Sequence, residues 1–227
     1  MEKQLKKTYK NARHILISEL SGKGKILDIG YGQTPNLFLK GEVYGIDIQK
    51  INVPNYKKTF QVNLNFQRLP FKDNEFDCIV ASEIIEHLEN PSFLLREINR
   101  VLKEKGVLLI GTPQANYIWF IIRNLFFDFV EDSDWGMHLS NWTIMDFKRL
   151  LKRNGFGVKK MYGSHIAIPY WLHRSIVIPT KRFPKISYTV LYECYKLGKP
   201  MNTIATIEAK LGYYPDKNIE IPNKKVN

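Results

Sequence analysis

Short apolar runs ending in glycine or a polar residue recur along the first two-thirds of the chain. KILDIG (25–30), VYGID (43–47), FQVN (60–63), FDCIVAS (76–82) and VLLIGTP (107–113) read as strands. FDCIVAS has the continuous apolar character of a strand buried on both faces. Helical patterns alternate with these runs. ENPSFLLREINRVLKEKG (89–106) has Asn90 as N-cap, Pro91 at the first helical position, one apolar face of Leu94, Leu95, Ile98, Val101 and Leu102, and Gly106 as its expected stop. TIMDFKRLLKRNGF (143–156) has Thr143 as its cap and Asn154-Gly155 as its end. An amphipathic helix opens the chain, with Leu5, Tyr9, Ala12, Ile15, Leu16 and Leu20 at helical spacing, and GVKKMYG (157–163) and NTIATIEAKLG (202–212) read as late strands. The alternation predicts an α/β fold, a Rossmann-like doubly wound, mostly parallel seven-stranded sheet with helices on both faces. In such sheets ligands bind beyond the carboxyl ends of the strands, so the informative residues are those just after each strand.

Those positions hold Asp28, Gly30 and Gly32 after the first strand, Asp47 after the second, Asn63-Leu64 after the third and ASEIIEHLENP (81–91) after the fourth. The glycines permit a sharp turn and close approach of a ligand. Thr34-Pro35 follows them where a dinucleotide fingerprint has a third glycine opening a long helix, which argues against a pyrophosphate seated on a helix N-terminus. A carboxylate at Asp47 suits a pair of ribose hydroxyls. If residues 83–88 are helical, Glu83, Glu86 and His87 share one face, while Ile84, Ile85 and Leu88 point to the core. Two carboxylates and an imidazole suit a divalent ion such as Mg²⁺, Mn²⁺ or Zn²⁺, or His87 acts as a base without one.

As an ordered set, LDIGYG, VYGID, LPFKDNEFDCIVASEIIEHLENP, LLREINRVLKEKGVLLIGTP and LLKRNGF resemble the class I S-adenosylmethionine-dependent methyltransferases over roughly residues 25–165. The resemblance implies that Asp28 and the Gly30-Tyr31-Gly32 turn hold the methionine end of the cofactor. Asp47 and Ile48 would take the ribose side, Asn63 and Leu64 the adenine, and Ser82 and Glu83 would lie under the sulfonium. The chain departs from the pattern at Thr34 and at Asn63, where an acid is usual; asparagine still offers an acceptor. The E-x-x-E-H pattern is similar to ubiquinone-pathway O-methyltransferases and to enzymes methylating the terminal ribose 2′-hydroxyl of small RNAs, where it is a metal site. HLSNWT places His138 as a fourth ligand beside Glu83, Glu86 and His87, and the catalytic pair is expected to be His87 and Glu86.

The expected organisation is an N-terminal helix (1–24), a core (25–165) with an acceptor-side insertion at about 114–142, a basic aromatic insertion (166–202), and a last strand and tail (203–227). The segment 116–135 is nearly apolar, and 166–200 interleaves aromatics with Arg174, Lys181, Arg182 and Lys185. Net charge is +12, with 7 basic and 2 acidic residues in 1–25, 11 and 15 in 26–140, and 16 and 5 in 141–227. The basic C-terminal region suits peripheral membrane or RNA contact. No apolar run reaches transmembrane length, and no signal-peptide pattern opens the chain. Cys78 and Cys194 are expected as buried free thiols in a cytoplasmic protein, peripheral at a membrane if its basic flanks engage one. The expected activity is O-methylation of a small-molecule or lipid-linked acceptor. The alternatives are RNA ribose 2′-O-methylation and non-catalytic binding on the same scaffold.

Overall fold

The computed structural model describes residues 2–32, 34–118, 121–122, 138–171 and 174–201. Helix α1 (Glu2–Ser21) leads into β1 (Lys25–Ile29), β2 (Glu42–Asp47), β3 (Lys58–Gln61) and β4 (Phe76–Ser82). A 3₁₀ turn (Ile85–His87), α2 (Pro91–Val101) and β5 (Leu102–Pro113) follow. Then come α3 (Ile144–Arg153), β6 (Phe156–Gly163), a ribbon of β7 (His165–Trp171) and β8 (Arg174–Pro179), a 3₁₀ turn (Pro184–Ile186) and β9 (Thr189–Lys196).

The seven-stranded sheet runs β3-β2-β1-β4-β5-β9-β6. β1 to β5 are parallel, whereas β9 lies antiparallel to both β5 and β6. Alternation along the central strands explains the two-sided burial. In β4, Cys78 and Val80 join a core with Leu16 and Ile17 of α1; Ile79 and Ala81 join Leu94, Leu95 and Ile98 of α2 and Phe147 and Leu151 of α3. Successive side chains on a strand point to opposite faces, so both faces need a helical cover.

Three local expectations change. The helix after Pro91 stops at Val101, not at Gly106, because fully buried Leu102 already pairs with Phe76 at the start of β5. Pairing across the sheet overrides the apolar periodicity there. The strand that completes the sheet is Thr189–Lys196, inside the segment expected as a basic insertion. Its acid at Glu193 is paired with Lys159 Nζ at 2.6 Å and accepts from the Tyr162 hydroxyl at 2.9 Å, which lets a charged residue occupy an interior strand. The strand expected at 202–212 lies outside the described residues, as does most of 116–135. Third, 83–88 is not a helical turn throughout. Glu83 has φ +58° and only Ile85–His87 forms a 3₁₀ turn.

The caps are as the sequence indicates. Asn90 Oδ1 accepts from Phe93 N at 3.1 Å, and Thr143 Oγ1 accepts from Asp146 N at 3.1 Å. Cys78 and Cys194 are buried free thiols, and burial pushes both up. No helix among the described residues is long and apolar enough to cross a membrane.

Candidate active site

The end of β1 is shaped by a left-handed backbone that favours glycine. Gly30 has φ +71°, and a Cβ there would stand 2.7 Å from Ile84 Cγ1. Gly32 has φ +50°, but a Cβ there would meet nothing within 4 Å, so it faces open space. Its N–H donates to Asp47 Oδ2 at 2.8 Å, and Gln49 N–H donates to Asp47 Oδ1 at 2.9 Å. The carboxylate at the end of β2 is thereby fixed against the turn after β1.

A cavity of about 140 Å³ opens at this turn, and Asp28, Gly30, Tyr31, Gly32, Ser82 and Glu83 all lie in its wall. The Tyr56 hydroxyl donates to Asp28 Oδ2, and burial pushes the Asp28 carboxyl up to about 6. Tyr31 sends its hydroxyl away from the cavity, to Ile51 O at 2.8 Å. Asp47 and Ile48 stand at the neighbouring end of β2, with Asp47 buried and Ile48 59% exposed. Asn63 follows β3, its Oδ1 accepting from Asn65 N at 3.1 Å, and Leu64 packs into the core. The expected residues therefore form one row across four strand ends.

Two neighbours of this row are not among the residues expected at the site. Arg13 and His14 of α1 reach the same cavity. The Arg13 guanidinium pairs with the Glu83 carboxylate, which also accepts from Thr189 Oγ1 at 3.0 Å. Burial pushes Glu83 up, but the Arg13 charge and these hydrogen bonds bring it below the usual carboxylate range. The signal for Arg13 was its spacing: it lies three, four and seven residues before Leu16, Ile17 and Leu20, on the apolar face of α1. A second cavity of about 320 Å³, with mainly apolar walls, lies between α1 and the ends of β4, β5, β6 and β9. Arg13 and Ser82 line both cavities, and Ser82 Oγ is buried without a hydrogen-bond partner among the described residues.

Three of the four expected metal ligands converge. Ligand atoms of Glu86, His87 and His138 lie within 4.8 Å of one another, and the His87 and His138 rings meet at 4.7 Å between centroids. The main-chain oxygen of Glu86 accepts from Leu139 N at 2.8 Å and Ser140 N at 3.1 Å, which brings His138 alongside. Glu86 Oε2 accepts from Thr112 Oγ1 at 3.2 Å, while Oε1 is buried without a hydrogen-bond partner among the described residues. Burial pushes this carboxyl up to about 8. An orphaned carboxylate oxygen beside two imidazoles fits a divalent cation. Glu83 does not join this group, because its left-handed backbone turns the side chain to Arg13 and Thr189 instead.

A further half-buried histidine lies after β6. His165 stacks on Tyr188 at 5.3 Å and its Nδ1 is 3.0 Å from Ser164 Oγ. Burial lowers it to about 4, so it is neutral in ordinary buffers. No sequence pattern marked it.

Residues 27–110 match the methyltransferase domain family. A ubiquinone biosynthesis O-methyltransferase of Pelagibacter ubique is 25% identical over 63% of this chain and 66% of its own length. An uncharacterized protein of Methanocaldococcus jannaschii is 28% identical over 73% of this chain and 77% of its own. A mitochondrial ubiquinone biosynthesis O-methyltransferase of Rattus norvegicus is 32% identical, over 47% and 35%. The chain thus spans about two thirds of the first of these relatives and about a third of the last. Among solved structures, a SAM-dependent methyltransferase from Archaeoglobus fulgidus superposes with a TM-score of 0.58 at 16% identity, covering 84% of this chain and 94% of that one. At that identity the likeness speaks for the fold.

Proposed function

We propose that this chain, which belongs to the class I S-adenosylmethionine-dependent methyltransferases, methylates a hydroxyl on a small-molecule or lipid-linked acceptor with an apolar body. The observation that carries the reading is the convergence of Glu86, His87 and His138 just beyond β4. A hydroxyl nucleophile must lose a proton as it attacks, and a buried carboxyl with two half-buried imidazoles just beyond β4 meets that need.

S-adenosylmethionine supplies a methyl carbon already activated by its sulfonium. The protein's part is to align and to remove a proton. Gly32 leaves room for the methionine end, and Asp28 offers its carboxylate to the ammonium. Asp47 accepts from the ribose hydroxyls with the lone pairs its two backbone N–H donors leave over. Ile48 and Leu64 flank the adenine, whose amino group meets Asn63. Ser82 and Glu83 lie under the sulfonium. The larger cavity receives the acceptor's apolar body, since it shares Arg13 and Ser82 with the smaller one.

His87 accepts the hydroxyl proton, with the Glu86 carboxyl beside it. A divalent cation held by Glu86, His87 and His138 would lower the hydroxyl's pKa at that point. The relatives named for ubiquinone biosynthesis O-methyltransfer support the choice of oxygen as nucleophile.

The test is methyl transfer from labelled S-adenosylmethionine into a panel of phenols, aliphatic alcohols and amines. Labelling of hydroxyl acceptors, lost in His87→Ala while S-adenosylhomocysteine binding is kept, supports the proposal. Labelling confined to amines contradicts it.

A further inference from the structure

We propose that the turn after the β7–β8 ribbon, together with the segment just beyond β5, is a docking surface for an anionic lipid bilayer. The turn has the sequence IPTKRFPKI (178–186), with three basic residues and no acid. Ile178 is 45% exposed, Phe183 62% and Ile186 52%. Lys181, Arg182 and Lys185 are exposed between them. Neither Arg182 nor Lys185 has an acidic partner among the described residues.

These side chains are not exposed by slack backbone. Phe183 N donates to Thr180 O at 2.8 Å, Ser187 Oγ donates to Phe183 O at 2.8 Å, and Ile186 N donates to Phe183 O at 3.3 Å. From the other side, Gln114 Nε2 donates to Lys185 O at 3.1 Å, to Pro184 O at 3.2 Å and to Ser187 O. Ser187 is fully buried and Thr180 nearly so. Every anchor points inward, and the apolar tips are held outward. The segment that starts at Gln114 continues this surface: Tyr117 packs edge-on against Tyr188 at 5.6 Å, while Ile118 and Ile121 are 53% and 42% exposed.

Fixed apolar tips set among exposed cations, of which Lys181 alone reaches an acid among the described residues (Glu19 Oε2 at 3.4 Å), match the interfacial layer of an anionic membrane. Apolar groups enter the acyl boundary and the cations meet headgroup phosphates. Single-stranded nucleic acid would ask for stacking platforms, and four of the five exposed apolar tips are isoleucines, which offer none. Lys181 also lines the larger cavity, so the surface adjoins its mouth and an acceptor dissolved in the bilayer would enter from there. This last link rests on the proposed function; the surface itself does not.

Flotation of the full chain with vesicles rich in phosphatidylglycerol, against pure phosphatidylcholine, tests the assignment. The wild type is expected to float with the anionic vesicles and to leave them as salt rises. Arg182→Gln with Lys185→Gln should weaken partitioning about twenty-fivefold, at about fivefold per cation. Phe183→Ser with Ile186→Ser should weaken it by about tenfold or more. Both double variants should keep the wild-type melting temperature and its shift with S-adenosylhomocysteine, which separates loss of docking from loss of fold or cofactor binding. A wild type that stays unbound overturns the assignment. So does an apolar double variant that binds as the wild type does while single-stranded RNA strips both from the vesicles, since the surface would then be a nucleic-acid site.

Discussion

The guanidinium of Arg13 in α1 and the carboxylate of Glu83 beyond β4 form an ion pair between two cavities, one beside the glycine turn and one beneath α1. The pair ties the N-terminal helix to the reactive end of the sheet. Arg13→Ala leaves the Glu83 carboxylate with Thr189 as its remaining partner. Stranding a partly buried charged acceptor costs about 2 kcal/mol, so the melting temperature should fall by about 6 °C in a calorimetric scan. Glu83→Gln, which removes the charge and keeps an acceptor, should cost distinctly less.

Asp28 makes stability depend on pH in a definite direction. Burial raises its folded-state value to about 6 from an ordinary 3.8. Between those values the folded state keeps a proton that the unfolded chain has lost. The contribution is thus complete below about 4 and disappears as pH rises through about 6, by roughly 3 kcal/mol at most. Asp28→Asn should flatten that part of the stability curve in urea titrations. Because the cofactor's ammonium favours the ionised carboxylate, S-adenosylhomocysteine binding should tighten over the same interval, and the variant should lose that trend.

Gly30 and Gly32 should respond differently to the same substitution. In Gly30→Ala the new methyl group meets Ile84 in a left-handed backbone. Strain and overpacking together cost about 2–4 kcal/mol, and the variant should melt well below the wild type. In Gly32→Ala the methyl enters open space, so the cost is about 1 kcal/mol from the backbone alone. Its main effect should be on S-adenosylhomocysteine affinity, lowered at least tenfold by calorimetry, because the methyl occupies room the ligand needs.

The trio beyond β4 is testable without turnover. Adding Mn²⁺ or Zn²⁺ to chelator-treated protein should raise its melting temperature, equivalent to about 3 kcal/mol at a hundredfold excess over Kd. His138→Ala and Glu86→Gln should abolish the shift. Glu83→Gln should retain it, since Glu83 stands apart from the trio. Full retention of the shift in His138→Ala would remove that residue from the site.

The strands were legible because a two-sided core demands apolar runs, and four of the five runs match their strands closely; FQVN only overlaps β3 (Lys58–Gln61), which is half-exposed at the sheet edge. β9 was not, because Glu193 interrupts an otherwise apolar TVLYECYK, and its pairing with Lys159 and Tyr162 depends on contacts more than thirty residues distant. Glu86 and His87 could be read from spacing, since adjacent residues on one short turn stay together whether that turn is α or 3₁₀, whereas His138 could be read only from the resemblance carried by HLSNWT. Glu83 could not, because nothing in its residue type signals a φ of +58°. Arg13 had a visible signal in its position on the apolar face of α1. His165 had none, since its surroundings are set by Tyr188, which stacks on it from beyond the ribbon in the chain.

Calorimetric titration of S-adenosylhomocysteine into the wild type and Asp47→Ala tests the central claim most directly. Asp47 is held by two backbone donors at the point where the row of strand ends meets the glycine turn. Losing hydrogen bonds from two ribose hydroxyls to a carboxylate, each worth about 1.5–3 kcal/mol, should weaken binding at least about a hundredfold while the melting temperature of the free protein changes little. A wild type that takes up no S-adenosylhomocysteine, or an Asp47→Ala variant that binds it as tightly as the wild type, would contradict the account.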